Sequence, residues 1–255
     1  MRLDPRSLVI TVLVAALAAL ASPAGAVNVL EEHANGGTLQ QNWQPGFGVG
    51  RVPFGMVMPS SDPAFTNPSG DHTVVVLVNV APDSGGIALS CVDPQGQSDY
   101  TWEGWMFTGN GNTRRGLVLR ADPTNQFQSC YQFVLNAGMA QLVFRKLVGQ
   151  SPTTLRNWFT NTLPGGVPAL NSWHHMKVMA SANTFRVYWD GAELTSALNP
   201  VVDAVTPRLS GFVGIYNFRF DLGGVPVYFD DLVLSTDVVV PARSSSWGQI
   251  KRLYR

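Results

Sequence analysis

Hydrophobic positions from Thr73 onward fall in short runs dominated by β-branched and aromatic residues, each closed by a turn signal. The runs are 73–80, 86–92, 98–107, 116–121, 130–136 and 141–148, and after a loop 173–180, 184–190, 211–217 and 225–235. Asn110-Gly111, Asp122-Pro123 and Asp190-Gly191 stand among the breaks. Such dipeptides favour turns because Gly and Asn tolerate positive φ and Pro fixes φ. No stretch longer than three turns keeps a helical period, and no segment recurs at fixed spacing. Ten short strands of this kind predict an all-β domain, a sandwich or a barrel. Residues 27–71, rich in Gly, Pro, Asn and Ser, are read as an irregular opening with one or two strands.

Alternation assigns faces. In 173–179, Met176 and Val178 share a face with His174, while Lys177 shares one with Trp173 and His175. In 184–189, Phe185, Val187 and Trp189 oppose Arg186 and Tyr188. A one-residue slip would reverse both sets, so burial pins the pairing of the two runs as a hairpin. Asp190-Gly191 then turns the chain into a second hairpin through Glu193, Leu194 and Thr195.

The chain has 255 residues, 17 basic and 17 acidic, with 13% charged and 45% hydrophobic. A neutral, weakly charged chain argues against a nucleic-acid-binding surface, and this much apolar material argues against disorder. Arg2 and Arg6, the uncharged apolar run 7–20 and Ala24-Gly25-Ala26 have the order of a secretory signal peptide over residues 1–26. The run falls short of the ~20 residues of a membrane span, and no later segment reaches that length. An exported, secreted or cell-surface bacterial protein is expected, with the sandwich over 27–235 and a linker and tail over 236–255. Only three Lys against 14 Arg point the same way, to a GC-rich genome. Export places Cys91 and Cys130 in an oxidising compartment, where they either bridge, for roughly 3–4 kcal/mol, or remain two buried small hydrophobes.

Several segments follow one another in a familiar order. They are Trp173-His174-His175-Met176-Lys177-Val178, Val187-Tyr188-Trp189-Asp190-Gly191, Ser210-Gly211-Phe212-Val213-Gly214-Ile215 and Phe229-Asp230-Asp231-Leu232-Val233-Leu234. Asp99-Tyr100-Thr101-Trp102, Gly116-Leu117-Val118-Leu119-Arg120 and Tyr131-Gln132-Phe133-Val134-Leu135 match the upstream half of the same pattern. Together they resemble the concanavalin A-like lectin/glucanase superfamily, especially its laminin-G-like and keto-disaccharide-hydrolase-like branches. The resemblance spans about 99–235 and implies a two-sheet antiparallel β-sandwich, a jelly roll with one sheet curved into a shallow groove that often holds carbohydrate.

Catalytic chemistry is thin. The superfamily's glucanases carry E-x-D-x-E on one strand, and none of the four Glu here has Asp two residues on. Asp99 and Glu103 share a strand face but would stand about 13 Å apart, too far to act as a hydrolytic pair. Asp230 and Asp231 point to opposite faces, and His174 and His175 alternate across a strand. Glu103, between Trp102, Gly104 and Trp105, and Arg120, ending an aliphatic run, are the outstanding charges. If their strands pair, they face each other across the groove and bind sugar hydroxyls, with Trp105 stacking on a ring and Tyr131 and Tyr188 assisting. The alternative is a structural salt bridge with Trp105 in ordinary packing. A structural calcium, implied by the resemblance, would join Glu31 or Glu32 to Asp230 or Asp231; the alternative is a solvated Glu pair and a turn-capping Asp.

After residue 235 the strand pattern stops. Trp247, Ile250 and Tyr254 recur at helical spacing in the tail, which either docks on a secretion or attachment partner or frays. The reading is a secreted domain that binds a polysaccharide or glycan without cleaving it. Its alternatives are a hydrolase of the keto-disaccharide type working through Glu103 and a structural or adhesive surface protein docked by its tail.

Overall fold

Turn chemistry and period-two burial divide the described residues into 16 strands. The computed structural model describes residues 26–48, 53–78, 85–90, 99–109, 113–125, 128–219 and 226–237. In chain order the strands are β1 Ala26–Glu32, β2 Trp43–Gly48, β3 Phe54–Val57, β4 Thr73–Val78, β5 Gly85–Ser90, β6 Tyr100–Phe107, β7 Thr113–Ala121 and β8 Cys130–Asn136. They continue as β9 Gln141–Val148, β10 Ser151–Phe159, β11 Trp173–Ser181, β12 Thr184–Trp189, β13 Ala192–Glu193, β14 Val201–Val202, β15 Phe212–Arg219 and β16 Pro226–Asp237. Residues Asn28–Thr236 form one compact unit, and the stretches read above as a signal peptide and a C-terminal tail lie largely outside the described residues.

One antiparallel sheet runs β13-β12-β11-β6-β16-β4-β3, with β1 on β16 and β14 on β12; the other runs β10-β9-β8-β7-β15-β5-β2. The nine-stranded and seven-stranded sheets enclose one core. Val75, Trp102, Met106, Val178, Phe185 and Val187 enter it from the first sheet, and Leu117, Leu119, Phe133, Phe144, Val213 and Ile215 from the second. Trp102 also donates its indole N–H across the sandwich to the Gly214 carbonyl at 3.0 Å. This is a two-sheet antiparallel β-sandwich, one of the two architectures that the strand pattern allows and the one that the resemblance implies.

Both expected hairpins form. β11 and β12 pair in the predicted register, with Met176, Val178, Phe185, Val187 and Trp189 buried. Asp190 and Gly191 have φ of 49° and 78°, the two left-handed positions of a type I′ turn, and carry the chain into β13. Two regions differ from expectation. Residues 27–71 hold three strands, β1 to β3. The stretch after 148, read as a loop, contains β10, an edge strand on β9 whose N-terminal half is exposed. An edge strand buries little, so Ser151-Pro152-Thr153-Thr154 shows no apolar alternation, and Pro152 is tolerated there.

Candidate functional site

Three of the five residues expected to bind sugar come together on the outer face of the nine-stranded sheet. Glu193, Tyr188, Lys177, Glu103 and Val233 are cross-strand partners in one row over β13, β12, β11, β6 and β16. Glu103 lies 3.4 Å from His175 and 3.7 Å from Lys177. Trp105 is half-buried and tilts on the His175 ring at a centroid distance of 5.0 Å. Tyr188 is flanked at 5.7 Å by both Lys177 and Arg186, and Arg186 makes a two-pronged pair with Glu193. Burial holds the His175 imidazole below its usual pKa, with Glu103 opposing that shift. The charged groups of this face are thus largely matched to one another.

Arg120 and Tyr131 do not belong to that face. β6 and β7 are consecutive in the chain but lie in opposite sheets, so Glu103 and Arg120 do not face each other. Arg120 is fully buried. Its guanidinium lies 5.1 Å from the Phe185 ring centre and donates to the Ala182 and Arg208 carbonyls. Tyr131 is equally buried: its hydroxyl donates to Asp203 Oδ2 at 2.6 Å and accepts from Arg208 N–H at 2.9 Å. Lys146 closes the network 2.8 Å from Asp203. Both residues anchor the loop 203–210 over one end of the sandwich, which is a structural role.

The four carboxylates expected to hold calcium separate. Glu32, fully buried, accepts from Ala34, Gln40 and Gln41 N–H and from the Trp43 indole, at 2.8–3.0 Å. Glu31 is exposed beside Asn28 and His33, and Asp231 meets His33 Nδ1 at 2.7 Å. Asp230 is fully buried, and that burial pushes its carboxyl up to about 6. Its Oδ2 accepts from Asn67 Nδ2 and Ser69 N–H. Asn67 Nδ2 has Ser69 Oγ at 2.7 Å, the Thr73 carbonyl at 2.9 Å, Asp230 Oδ2 at 3.0 Å and Asp71 Oδ1 at 3.1 Å. An amide nitrogen carries two hydrogens, so four oxygens converge on a donor that can fully serve two. Hydrogen bonds led by Thr73 outweigh burial at Asp71 and leave its carboxyl at about 2. Among the described residues no three His, Cys, Asp or Glu side chains are grouped to hold a metal ion. Cys130 is buried, which pushes its thiol up to about 12, and it is free among the described residues; Cys91 lies outside them.

The seven-stranded sheet holds polar residues that the sequence reading passed over. Its outer face forms a trough of about 220 Å³ across β7, β8, β9 and β10. Val134 and Val143, cross-strand partners, lie at its middle, with Arg114, Asn136, Gln141 and Arg145 among the polar residues that line it. Gln132 and Arg145 are also partners, and Gln132 Oε1 accepts from Arg145 Nε at 2.9 Å and Nη2 at 2.6 Å. The Arg145 guanidinium lies 5.5 Å from the Tyr216 ring centre, and that of Arg114 lies 5.6 Å from the Phe218 ring centre. Asn136 Oδ1 is buried without a hydrogen-bond partner among the described residues. A charge inside an apolar run, the signal that singled out Glu103, was present at Arg145 in Leu142-Val143-Phe144-Arg145. A second cleft, of about 380 Å³, lies between the end of β9 and residues 206–210.

No family model and no curated protein matches this chain. Solved structures do. The carbohydrate-binding module CBM66 from Bacillus subtilis superposes with a TM-score of 0.54 at 15% identity, over 77% of this chain and 96% of that one. A Bacillus subtilis protein of unknown function with a galectin-like fold gives 0.50 at 13% identity, over 76% and 90%. At such identities the likeness is one of fold: this chain shares the β-sandwich fold of those two domains.

Proposed function

We propose that this chain is an exported carbohydrate-binding domain that holds a saccharide in the trough of the seven-stranded sheet without cleaving it. The observation that carries this reading is the buried Asn136 Oδ1, an amide acceptor without a hydrogen-bond partner among the described residues, at the wall of the trough. Leaving such a group unsatisfied costs roughly 1–3 kcal/mol. A ligand that donates to Asn136 removes that cost, and a sugar hydroxyl donates and accepts alike. An apolar floor ringed by a few convergent polar groups is the usual build of a ligand site, and about 220 Å³ suits a single ring. The fold likeness to a carbohydrate-binding module supports the same class of ligand.

Binding without hydrolysis follows from the residue types present. Glycoside cleavage needs two carboxylates flanking the bond, and the seven strands of this sheet carry no Asp or Glu. On the opposite face the ion-pair partners of Glu103 are His175 and Lys177, both bases. Export rests on the N-terminal pattern, and no helix among the described residues is long and apolar enough to cross a membrane. Calcium belongs to the proposal through Asp230. Were the Asn67 amide to swing out, an ion taking its place would meet oxygens of Asp71, Asp230, Ser69 and the Thr73 carbonyl, a donor set suited to that cation.

The test is a glycan array on the full chain and three variants. Asn136→Leu removes an unsatisfied buried acceptor, so it should abolish binding while Tm holds or rises. Glu103→Gln and Trp105→Ala should leave binding unchanged. The reverse pattern would move the site to the nine-stranded sheet, where Glu103, Trp105 and Tyr188 share a face, and silence from the folded wild type would sink the lectin reading.

A further inference from the structure

Formal charge is segregated between the two sheets. The strands of the seven-stranded sheet hold six Arg, one Lys and no acid. Those of the nine-stranded sheet hold seven acids against Lys177 and Arg186. On the basic sheet, Lys146 is committed to Asp203, Arg156 to the Asn199 carbonyl and side chain, and Arg120 to carbonyls inside the sandwich. Arg145 differs. Its partners are the neutral Gln132 amide oxygen and the Tyr216 side chain, and no carboxylate among the described residues lies within ion-pair distance. Arg114 lines the same trough, and burial followed by the charge of Arg145 lowers its pKa, which places the two guanidinium groups within each other's field.

The Arg145 charge, beside this trough and with no carboxylate partner among the described residues, favours a ligand that brings the opposite sign. A carboxylate or sulfate presents coplanar or clustered oxygens that a guanidinium binds with paired, charge-assisted hydrogen bonds. A neutral sugar would leave the buried Arg145 charge uncompensated. We propose that the saccharide held in this trough is acidic, a polysaccharide bearing uronate carboxylates or sulfate esters, with Arg145 and Arg114 reading the anionic group and Asn136 a neighbouring hydroxyl. This rests on the carbohydrate-binding reading above and names its substrate class.

The experiment is affinity electrophoresis and calorimetry of the full chain against polygalacturonate, alginate, a sulfated galactan, a neutral galactan and double-stranded DNA, at 20 and 300 mM salt. Arg145→Gln, Arg145→Lys and Arg114→Gln are compared, each with its melting curve. The expected result is binding to an acidic polysaccharide at least tenfold tighter than to the neutral galactan, weakening with salt. Arg145→Gln and Arg114→Gln should each lose about tenfold or more, and Arg145→Lys should keep part of the affinity. Carboxylated and sulfated arms separate the two anion sources. Equal binding of neutral and acidic galactans overturns the acidic-ligand inference and leaves the carbohydrate-binding reading standing. Failure of every glycan overturns both. DNA binding as tight as that of polygalacturonate shows mere charge attraction and overturns the inference, as does acidic-glycan binding that survives both Gln variants. If Arg145→Gln fails to fold, Arg114→Gln and Arg145→Lys decide alone.

Discussion

Glu32 tests whether the carboxylates near the start of the sandwich are structural hubs or metal ligands. The perturbation is Glu32→Ala. The wild-type carboxylate accepts from three backbone N–H groups and the Trp43 indole, all at 2.8–3.0 Å, and has no exposed surface. Of the donors, those on Ala34 and Trp43 belong to buried residues that water reaches poorly, whereas Gln40 and Gln41 stand nearer solvent. Two stranded donors at roughly 1–3 kcal/mol each, offset by no longer burying a carboxylate, give an expected loss of about 3 kcal/mol. With an m-value of ~2–3 kcal/mol/M the urea midpoint should fall by about 1–1.5 M at unchanged m. The assay is urea unfolding followed by tryptophan fluorescence, run with calcium and with a chelator. A hub loses the same stability in both conditions. A shift under about 0.3 M, or a loss seen only with calcium present, would refute the hub.

Two further outcomes are expected. Asp230, raised to about 6, binds its proton more tightly folded than unfolded, so stability rises as pH falls from about 6 toward 4. A shift of about two units makes that gain at most about 3 kcal/mol. Asp71, at about 2, has the opposite sign, and its contribution holds above pH 4 and fades only as pH falls through about 2. Denaturation midpoints across pH should therefore show the rise in wild type and a flatter profile in Asp230→Asn, and saturating calcium should flatten the wild-type profile if an ion binds Asp230. Gly55→Ala puts a Cβ 2.6 Å from the Gly37 carbonyl carbon and oxygen, where β3 crosses the turn before it, and should cost about 1–3 kcal/mol by thermal melt. An unchanged Tm would show that the two backbones do not approach so closely.

What the chain reveals unaided depends on how much of the information is local. The β11–β12–β13 meander follows from two adjacent facts, an apolar period of two and the Asp190-Gly191 turn, and its register and buried face are as read. β8 and β9 likewise have the boundaries that their apolar runs suggest. β10 escapes the pattern because its N-terminal half is exposed at the sheet edge and only Leu155 and Trp158 of its side chains pack on the core, too few to write an apolar alternation. Glu32 was expected to meet a cation because its type is all that sequence shows. Its actual partners come from residues 34–43, brought round by a tight turn in which Ala34 and Gly36 both take positive φ. Arg120 shows the same gap: the run before it reads correctly as a strand, but where its side chain points depends on a φ of 48° at its own position.

The charge segregation belongs to neither local pattern nor composition. Net charge over the whole chain is zero, which excluded a strongly basic surface when averaged over 255 residues. The average conceals two sheets of opposite sign, because β6 with Glu103 and β7 with its three Arg are neighbours in sequence and lie on opposite sides of the core. Strands β2, β5 and β15 join β7 to β10 from distant parts of the chain and bring no acid with them. A ligand meets one sheet at a time, so the sign it meets is set by strand order and not by the total. The energetic asymmetry runs the same way. Glu103, Glu193 and Asp203 have basic partners, whereas Arg145 stacks on Tyr216 and leans on the one oxygen of Gln132. Folding alone would be served equally well by an apolar residue of similar size at position 145. In the proposed complex, a guanidinium there beside an unsatisfied Asn136 would place part of this sheet's favourable energy in the bound state rather than in the free domain.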